Sequence, residues 1–214
     1  MSSLVLYSYW RSSSSYRVRF ALAAKNLAFE TRTVNLLKGE QGSAEHVHRS
    51  PTAHVPCLEI DGRPMVESVA IIELLEDLFP EPALYPKEPW ARARVRSVVE
   101  IVNAGIQPLQ NMKVLARMAD AEMKKQWGAH FNALGLQSLE SMLELHSKEQ
   151  KPGRYALGDA LTAADIFIVP QVYSAKRFEV DTSKFPRVMA AASAAMETAA
   201  AKSAHPDNQP DAVK

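Results

Sequence analysis

The sequence predicts an α/β first domain built on a four-stranded mixed sheet, followed by an all-helical second domain. Three observations carry this expectation. Residues 4–79 alternate short apolar runs of strand character with amphipathic helical segments. The stretch 81–89, EPALYPKEP, holds three of the thirteen prolines and reads as a linker. From Trp90 onward only helical patterns occur. The expected organisation is therefore a domain over 1–80, a linker over 81–89 and a helical domain over 90–214.

Leu4–Tyr7 is the first strand, and Ser13–Asn26 the first helix, with Val18, Ala21 and Leu22 on one face. Phe29–Leu36 alternates with period two and is a second strand. Lys38–Ser43 is a polar loop with two glycines, and Ala44–Arg49 a short helix. Cys57–Ile60 and Pro64–Val66 form a hairpin through Asp61-Gly62, a two-residue turn signal. Glu67-Ser68 opens an amphipathic helix that Pro80 and Pro82 end. A parallel crossover followed by a hairpin gives the mixed sheet. In the second domain, 90–118 is helical with an interruption expected at Gly105 and Pro108. Ala121–Lys148 is a long helix, and 151–158 a connection. Leu161–Ile166 carries a capping box, with Thr162 as N-cap and Asp165 reaching back. The helix it opens runs towards Arg177 through Pro170. Pro186–Lys202 is alanine-rich and helical, and 205–214 is expected to fray.

The 214 residues carry a net charge of +1, which gives no ground for binding nucleic acid or an anionic membrane. No apolar run reaches the roughly 18 residues of a membrane span. The N-terminus lacks a signal-peptide pattern, and the single cysteine, Cys57, excludes an intramolecular disulfide. A soluble cytoplasmic protein is expected. His46 and His48 are two residues apart, share no helical face and have no neighbouring cysteine, so solvated surface is favoured over a metal site.

Three places in the first domain bear on chemistry. Ser12–Ser15 stand where a strand hands over to a helix, so hydroxyls lie beside unpartnered N–H groups that favour an anion. An ordinary N-cap is the competing reading. Val55-Pro56 lies between a loop and a strand, where a cis bond would turn the Val55 backbone outward to an extended ligand. Glu67 and Ser68 at a helix start could hold an ammonium and a carboxylate together, or simply cap the helix.

Taken together, these features resemble the glutathione transferase fold, a thioredoxin-like domain followed by a helical one. The closer resemblance is to the zeta class, the maleylacetoacetate isomerases. Their signature S-S-C-[ST]-x-R-V-R-[IF]-A-L stands here as Ser12-Ser13-Ser14-Ser15-Tyr16-Arg17-Val18-Arg19-Phe20-Ala21-Leu22. Residues 105–111 (GIQPLQN), 169–172 (VPQV) and 177–181 (RFEVD) match further strings of that class. The resemblance implies glutathione as cofactor, a homodimer, and no nucleic-acid or membrane partner. It implies that Ser12 activates the glutathione sulfur, with Ser13 and Ser14 completing the catalytic run. Val55, before a cis Pro56, would pair with the cysteinyl backbone, Glu67 and Ser68 would bind the γ-glutamyl end, and His54 the glycine end. Ser14 stands where the signature has cysteine, and Cys57 lies on a predicted core strand and does not replace it. Arg11 and Arg177 are the candidates for the carboxylates of a dicarboxylic substrate, the family match favouring Arg177. Gln110 either lines the cofactor site or makes an interhelical or dimer contact. Arg17 and Arg19 read as structural or surface residues.

The implied reaction is the cis–trans isomerisation of maleylacetoacetate to fumarylacetoacetate by thiolate addition, bond rotation and elimination. Maleylpyruvate is the alternative substrate with the same demands. Conjugation or dehalogenation of small α-halo acids uses the same thiolate. A non-catalytic binding module on this fold is the third reading.

Overall fold

The computed structural model describes residues 2–149 and 153–213. They form two compact units. The first comprises the described residues up to Ala83 together with those from Ala199 onward, and the second runs from Leu84 to Thr198.

In the first unit the order is β1 (Leu4–Ser8), α1 (Ser13–Ala24), β2 (Glu30–Thr33), α2 (Ala44–Arg49), β3 (Cys57–Ile60), β4 (Arg63–Val66) and α3 (Ser68–Leu78). The strand order is β2-β1-β3-β4. β1 pairs parallel with β2 and antiparallel with β3, and β3 pairs antiparallel with β4, which is the predicted mixed sheet. The hairpin turn works because Asp61 and Gly62 both hold positive φ, 50° and 77°. Pro64 sits on the edge strand β4, where a missing N–H costs no interior ladder bond. Alternation decides the two faces of β1. Leu6 is fully buried opposite Leu58, while Tyr7 joins Tyr9, Trp10, Val34, Val55 and Cys57 in a second buried cluster. The second strand ends at Thr33 rather than Leu36, and Leu36–Lys38 and Glu40–Gly42, across that strand's predicted end and the loop expected over Lys38–Ser43, fold into two 3₁₀ turns. The Asn35 side chain accepts from Leu37 N and Lys38 N, and Glu40 accepts from Asn35 N at 2.7 Å.

α1 and α3 are joined by a buried ion pair. Lys25 Nζ lies 2.7 Å from Glu76 and also donates to the carbonyls of Phe79 and Pro82. All three donors of the ammonium are thereby used, which is the condition for burying it.

The second unit contains α4 (Pro89–Gly105), α5 (Met112–Leu115), α6 (Ala121–Ser147), α7 (Ala163–Arg177) and α8 (Pro186–Met196). The predicted interruption near Gly105 and Pro108 is a 3₁₀ turn over Gln107–Gln110. α7 is buried almost all round over its first ten residues, as a central helix should be. Its start is set by Asp165, which accepts from Thr162 N and Ala156 N, both at 2.9 Å, and from Thr162 Oγ1 at 3.1 Å. Of the expected linker, Leu84 and Tyr85 are buried and Glu88 caps α4 through Trp90 N and Ala91 N. Those residues therefore belong to the second unit rather than to a free connector. Lys151 and Pro152 of the expected 151–158 connection lie outside the described residues.

The C-terminus departs from expectation. The alanine-rich segment breaks between α8 and a separate α9 (Ala199–Ala204). α9 packs against α1, and described residues after it are held by hydrogen bonds rather than frayed. Arg19 Nε donates to Ala204 O at 3.1 Å, and Asp211 accepts from Trp10 N at 3.0 Å. These bonds explain why 199–213 groups with the sheet-bearing unit and not with the helical one. Among the described residues no helix is long and apolar enough to cross a membrane.

Candidate functional site

The serine run begins as the N-cap of α1. Ser12 has extended backbone, and its Oγ accepts from Ser15 N at 3.2 Å. A hydroxyl that accepts in this way keeps its own proton to donate elsewhere. Ser12, Ser13 and Ser14 are half-buried, while Ser15 is fully buried. No acidic side chain occupies the first turn of α1, so the positive end of the helix is not already neutralised there. The ordinary cap and the anion site expected from the sequence thus use the same atoms.

The loop leading into Ser12 is held from several sides. Ser12 N donates to Tyr9 O at 3.0 Å. Arg19, 1% exposed, donates from Nη1 to Ser8 Oγ at 2.9 Å and to Tyr9 O at 3.4 Å, and from Nη2 to Trp10 O at 2.9 Å. Arg11 is half-buried, with its guanidinium 5.4 Å from the centre of the Trp10 ring.

The Val55-Pro56 bond is cis. Val55 is buried in the same cluster as Tyr9 and Trp10, which brings this junction beside the lead-in to the serines. The half-buried His54 sits just before it, and its carbonyl accepts from His46 Nε2 at 2.8 Å and from Ser50 Oγ at 3.0 Å. His46, expected at the surface, is therefore a buried strut for this turn, while His48 is exposed. Among the described residues no group of three or more His, Cys, Asp or Glu could hold a metal ion.

Glu67 stands before α3 with φ at 68°, a conformation that costs a non-glycine residue on the order of 1–3 kcal/mol. Its carboxylate is exposed and makes no cap bond to α3, so it is not used as an ordinary helix cap. Ser68 is buried, and its Oγ accepts from Arg17 Nη1 at 3.1 Å. With that lone pair used, the Ser68 proton is directed elsewhere. Arg17 is 1% exposed, so of its two sequence readings the structural one holds, as a buried cation behind the α3 N-terminus. The available signal was the pattern R-V-R inside an apolar helix, since charges on a helix buried all round must find partners.

The two remaining candidates lie in the second unit. Gln110 is buried. Its Oε1 accepts from Asn132 Nδ2 at 2.6 Å and from Ser174 Oγ at 2.9 Å, and its Nε2 donates to Gln171 at 3.4 Å. Gln171 in turn donates to Asn132 Oδ1 at 2.6 Å. Of its sequence readings, the interhelical contact is the one these bonds make. Arg177 is exposed at the C-terminal end of α7. Cys57 is fully buried on β3, and burial pushes its thiol up to about 11, so it is no substitute for a signature cysteine.

The residues of the first unit suit a thiol tripeptide. Ser12 offers a hydroxyl donor at a helix N-terminus, Ser68 a donor backed by a cation, and Glu67 an exposed acceptor for an ammonium. Comparison with known proteins gives the same picture. Residues 2–77 match the glutathione S-transferase N-terminal domain. A probable maleylacetoacetate isomerase of Caenorhabditis elegans is 45% identical over 209 residues, covering 97% of this chain and 95% of that one. A crystal structure of maleylacetoacetate isomerase from Anaeromyxobacter dehalogenans, with dicarboxyethyl glutathione and citrate bound in its active site, aligns with a TM-score of 0.87 at 45% identity. It covers 99% of this chain and 94% of that one. The holo structure of a bacterial zeta-class maleylpyruvate isomerase aligns with a TM-score of 0.94 at 36% identity, over 98% of this chain and all of that one. With the serine-capped helix, the Glu67-Ser68 corner and these full-length likenesses in agreement, the chain belongs to the zeta-class glutathione transferase family of maleylacetoacetate isomerases.

Proposed function

We propose that this protein is a glutathione-dependent cis–trans isomerase that converts maleylacetoacetate to fumarylacetoacetate in the breakdown of aromatic amino acids. The observation that carries this is Ser12 Oγ. It caps α1 by accepting from Ser15 N and keeps its proton for a sulfur anion. Bound glutathione supplies a thiolate that adds across the substrate double bond, which allows rotation, and then departs unchanged.

The chain's own task is to make that thiolate available. An unperturbed thiol has a pKa of about 8.5, so only a few per cent is ionised at neutral pH. Lowering it by about two units needs roughly 2.7 kcal/mol of preference for the anion. The Ser12 hydroxyl and the α1 N-terminus are the groups that provide it. Ser13 and Ser14 continue the polar run, with Ser14 in the place of the family cysteine. The Val55 backbone aligns the cysteinyl segment, His54 the glycine end, and Glu67 and Ser68 the γ-glutamyl end. Arg11 and Arg177 are the carboxylate-binding residues we assign to the dicarboxylic substrate, since a guanidinium grips a carboxylate through two bonds. Dicarboxyethyl glutathione, seen in the Anaeromyxobacter relative, has the composition that thiol addition to a butenedioate gives, which supports addition as the step. A cytoplasmic homodimer with no nucleic-acid or membrane partner completes this reading.

Maleylpyruvate is the second substrate to consider, on the strength of the maleylpyruvate isomerase likeness. The test is a comparison of kcat/KM for maleylacetoacetate and maleylpyruvate. A higher value for maleylacetoacetate is expected. A clear preference for maleylpyruvate would reassign the substrate, and inactivity on both would remove the isomerase reading.

A further inference from the structure

We infer that Asp211, at the far end of the chain from the loop between β1 and α1, is a positioning residue for the thiolate site. Its carboxylate accepts from the backbone N–H of Trp10 at 3.0 Å, a contact between residues 201 positions apart. The carbonyl of the same Trp10 accepts from Arg19 Nη2 at 2.9 Å. Both polar groups of one peptide residue are thus held by side chains from different elements, two residues before Ser12. The loop between β1 and α1 has no ladder of its own to fix it, and Ser12 N is tied back to Tyr9 O inside the same turn. The direction of the Ser12 hydroxyl therefore depends on where Trp10 is held. The tail is anchored for this task. Arg19 Nε donates to Ala204 O at 3.1 Å, Gln209 Nε2 donates to the carbonyls of Ser203 and His205, and Ala212 packs on the Tyr9–Trp10–Val55 cluster. The charged groups around Trp10 are Asp211, Arg19 and Arg11, whose guanidinium lies over the indole. A charge-assisted bond from a carboxylate is about twice as strong as a neutral one, which suits a residue that must fix a loop from a chain end.

The inference rests on the reading of Ser12 as the thiolate donor, and the test separates the two. The ionisation of enzyme-bound glutathione is followed by ultraviolet thiolate absorbance against pH, with kcat, KM and melting temperature measured on the same full-length variants. In Asp211→Ala the bound thiol pKa is expected to rise by about one unit and kcat to fall about tenfold, with folding retained. Asp211→Asn keeps a weaker acceptor of the same shape, so a smaller rise is expected, and it carries the test if the alanine variant does not fold. An unmoved thiol titration in these folded variants overturns the inference. Ser12→Ala is the control. A titration unmoved there would fault the Ser12 reading itself, whereas one that moves for Ser12→Ala and not for Asp211→Ala or Asp211→Asn faults Asp211 alone.

Discussion

Arg17 on α1 donates to the hydroxyl of Ser68 at the start of α3, at 3.1 Å and across 51 positions of sequence. Both residues are buried. The bond ties the helix that begins with the serine run to the corner where Glu67 and Ser68 present their polar groups. It also places a fixed positive charge behind a helix N-terminus, two sources of attraction for one carboxylate.

Replacing that guanidinium should therefore weaken the cofactor more than the chemistry. In Arg17→Lys the affinity for glutathione, measured by calorimetry, is expected to fall about tenfold, while binding of cysteinylglycine, which lacks the γ-glutamyl group, changes little. An equal loss for both ligands would show that Arg17 acts on the whole fold.

Removing the Ser12 hydroxyl should act the other way. Ser12→Ala is expected to lower kcat by about 10²–10³-fold, the usual effect of losing one donor to a developing or resident anion. The α1 cap also goes, so a stability loss of about 1 kcal/mol should accompany it in denaturant titration. Ser14→Cys, which restores the family residue, should leave activity intact.

Asp165 makes a prediction about pH. Burial raises its carboxyl from 3.8 to about 6, against the opposing hydrogen bonds from Ala156 N, Thr162 N and the Thr162 hydroxyl. The folded state therefore keeps a proton that the unfolded chain has already lost between about pH 4 and 6. This contribution to stability is full below about pH 4, falls as pH rises through that window, and is constant above it. The change is of order 3 kcal/mol. Comparison of denaturant midpoints for the native protein and Asp165→Asn across that range should show the slope disappear in the variant. The variant should also be less stable throughout, because one amide oxygen cannot serve all three donors.

Cys57 should be silent to thiol reagents. Burial holds its thiol at about 11, and its side chain lies inside the cluster with Tyr7, Tyr9, Trp10 and Val55. At pH 8 a disulfide exchange reagent should modify the native protein far more slowly than the unfolded one. Rapid modification coupled to activity loss would place this residue in the chemistry after all.

Much of the first unit was legible because its signals are local. The period-two runs, the Asp61-Gly62 turn, the serine cap and the Glu67-Ser68 helix start each depend on residues a few positions apart. The capping residue Asp165 was legible for the same reason. What was not legible rests on long-range partners. His46 looks like surface until its ring is seen to support the His54 carbonyl eight residues on. Arg17 and Arg19 look like ordinary helix charges until Ser68, Ser8 and Ala204 supply their acceptors. Gln110 matches a family string, yet its amide is consumed by Asn132, Gln171 and Ser174, from helices that periodicity cannot pair. The tail from 205 carries proline and polar residues typical of a frayed end, and the Trp10 contact, the Gln209 bonds and the Ala212 packing reveal that it is anchored.

The central claim is that a thiolate held by the Ser12 junction carries the isomerisation without being used up. The direct test supplies maleylacetoacetate in large excess over glutathione and follows both fumarylacetoacetate and free thiol. Many turnovers per glutathione, none without it, and an unchanged thiol concentration at the end are the predicted results. Turnover in the absence of glutathione, or loss of one thiol for each product formed, would contradict the account.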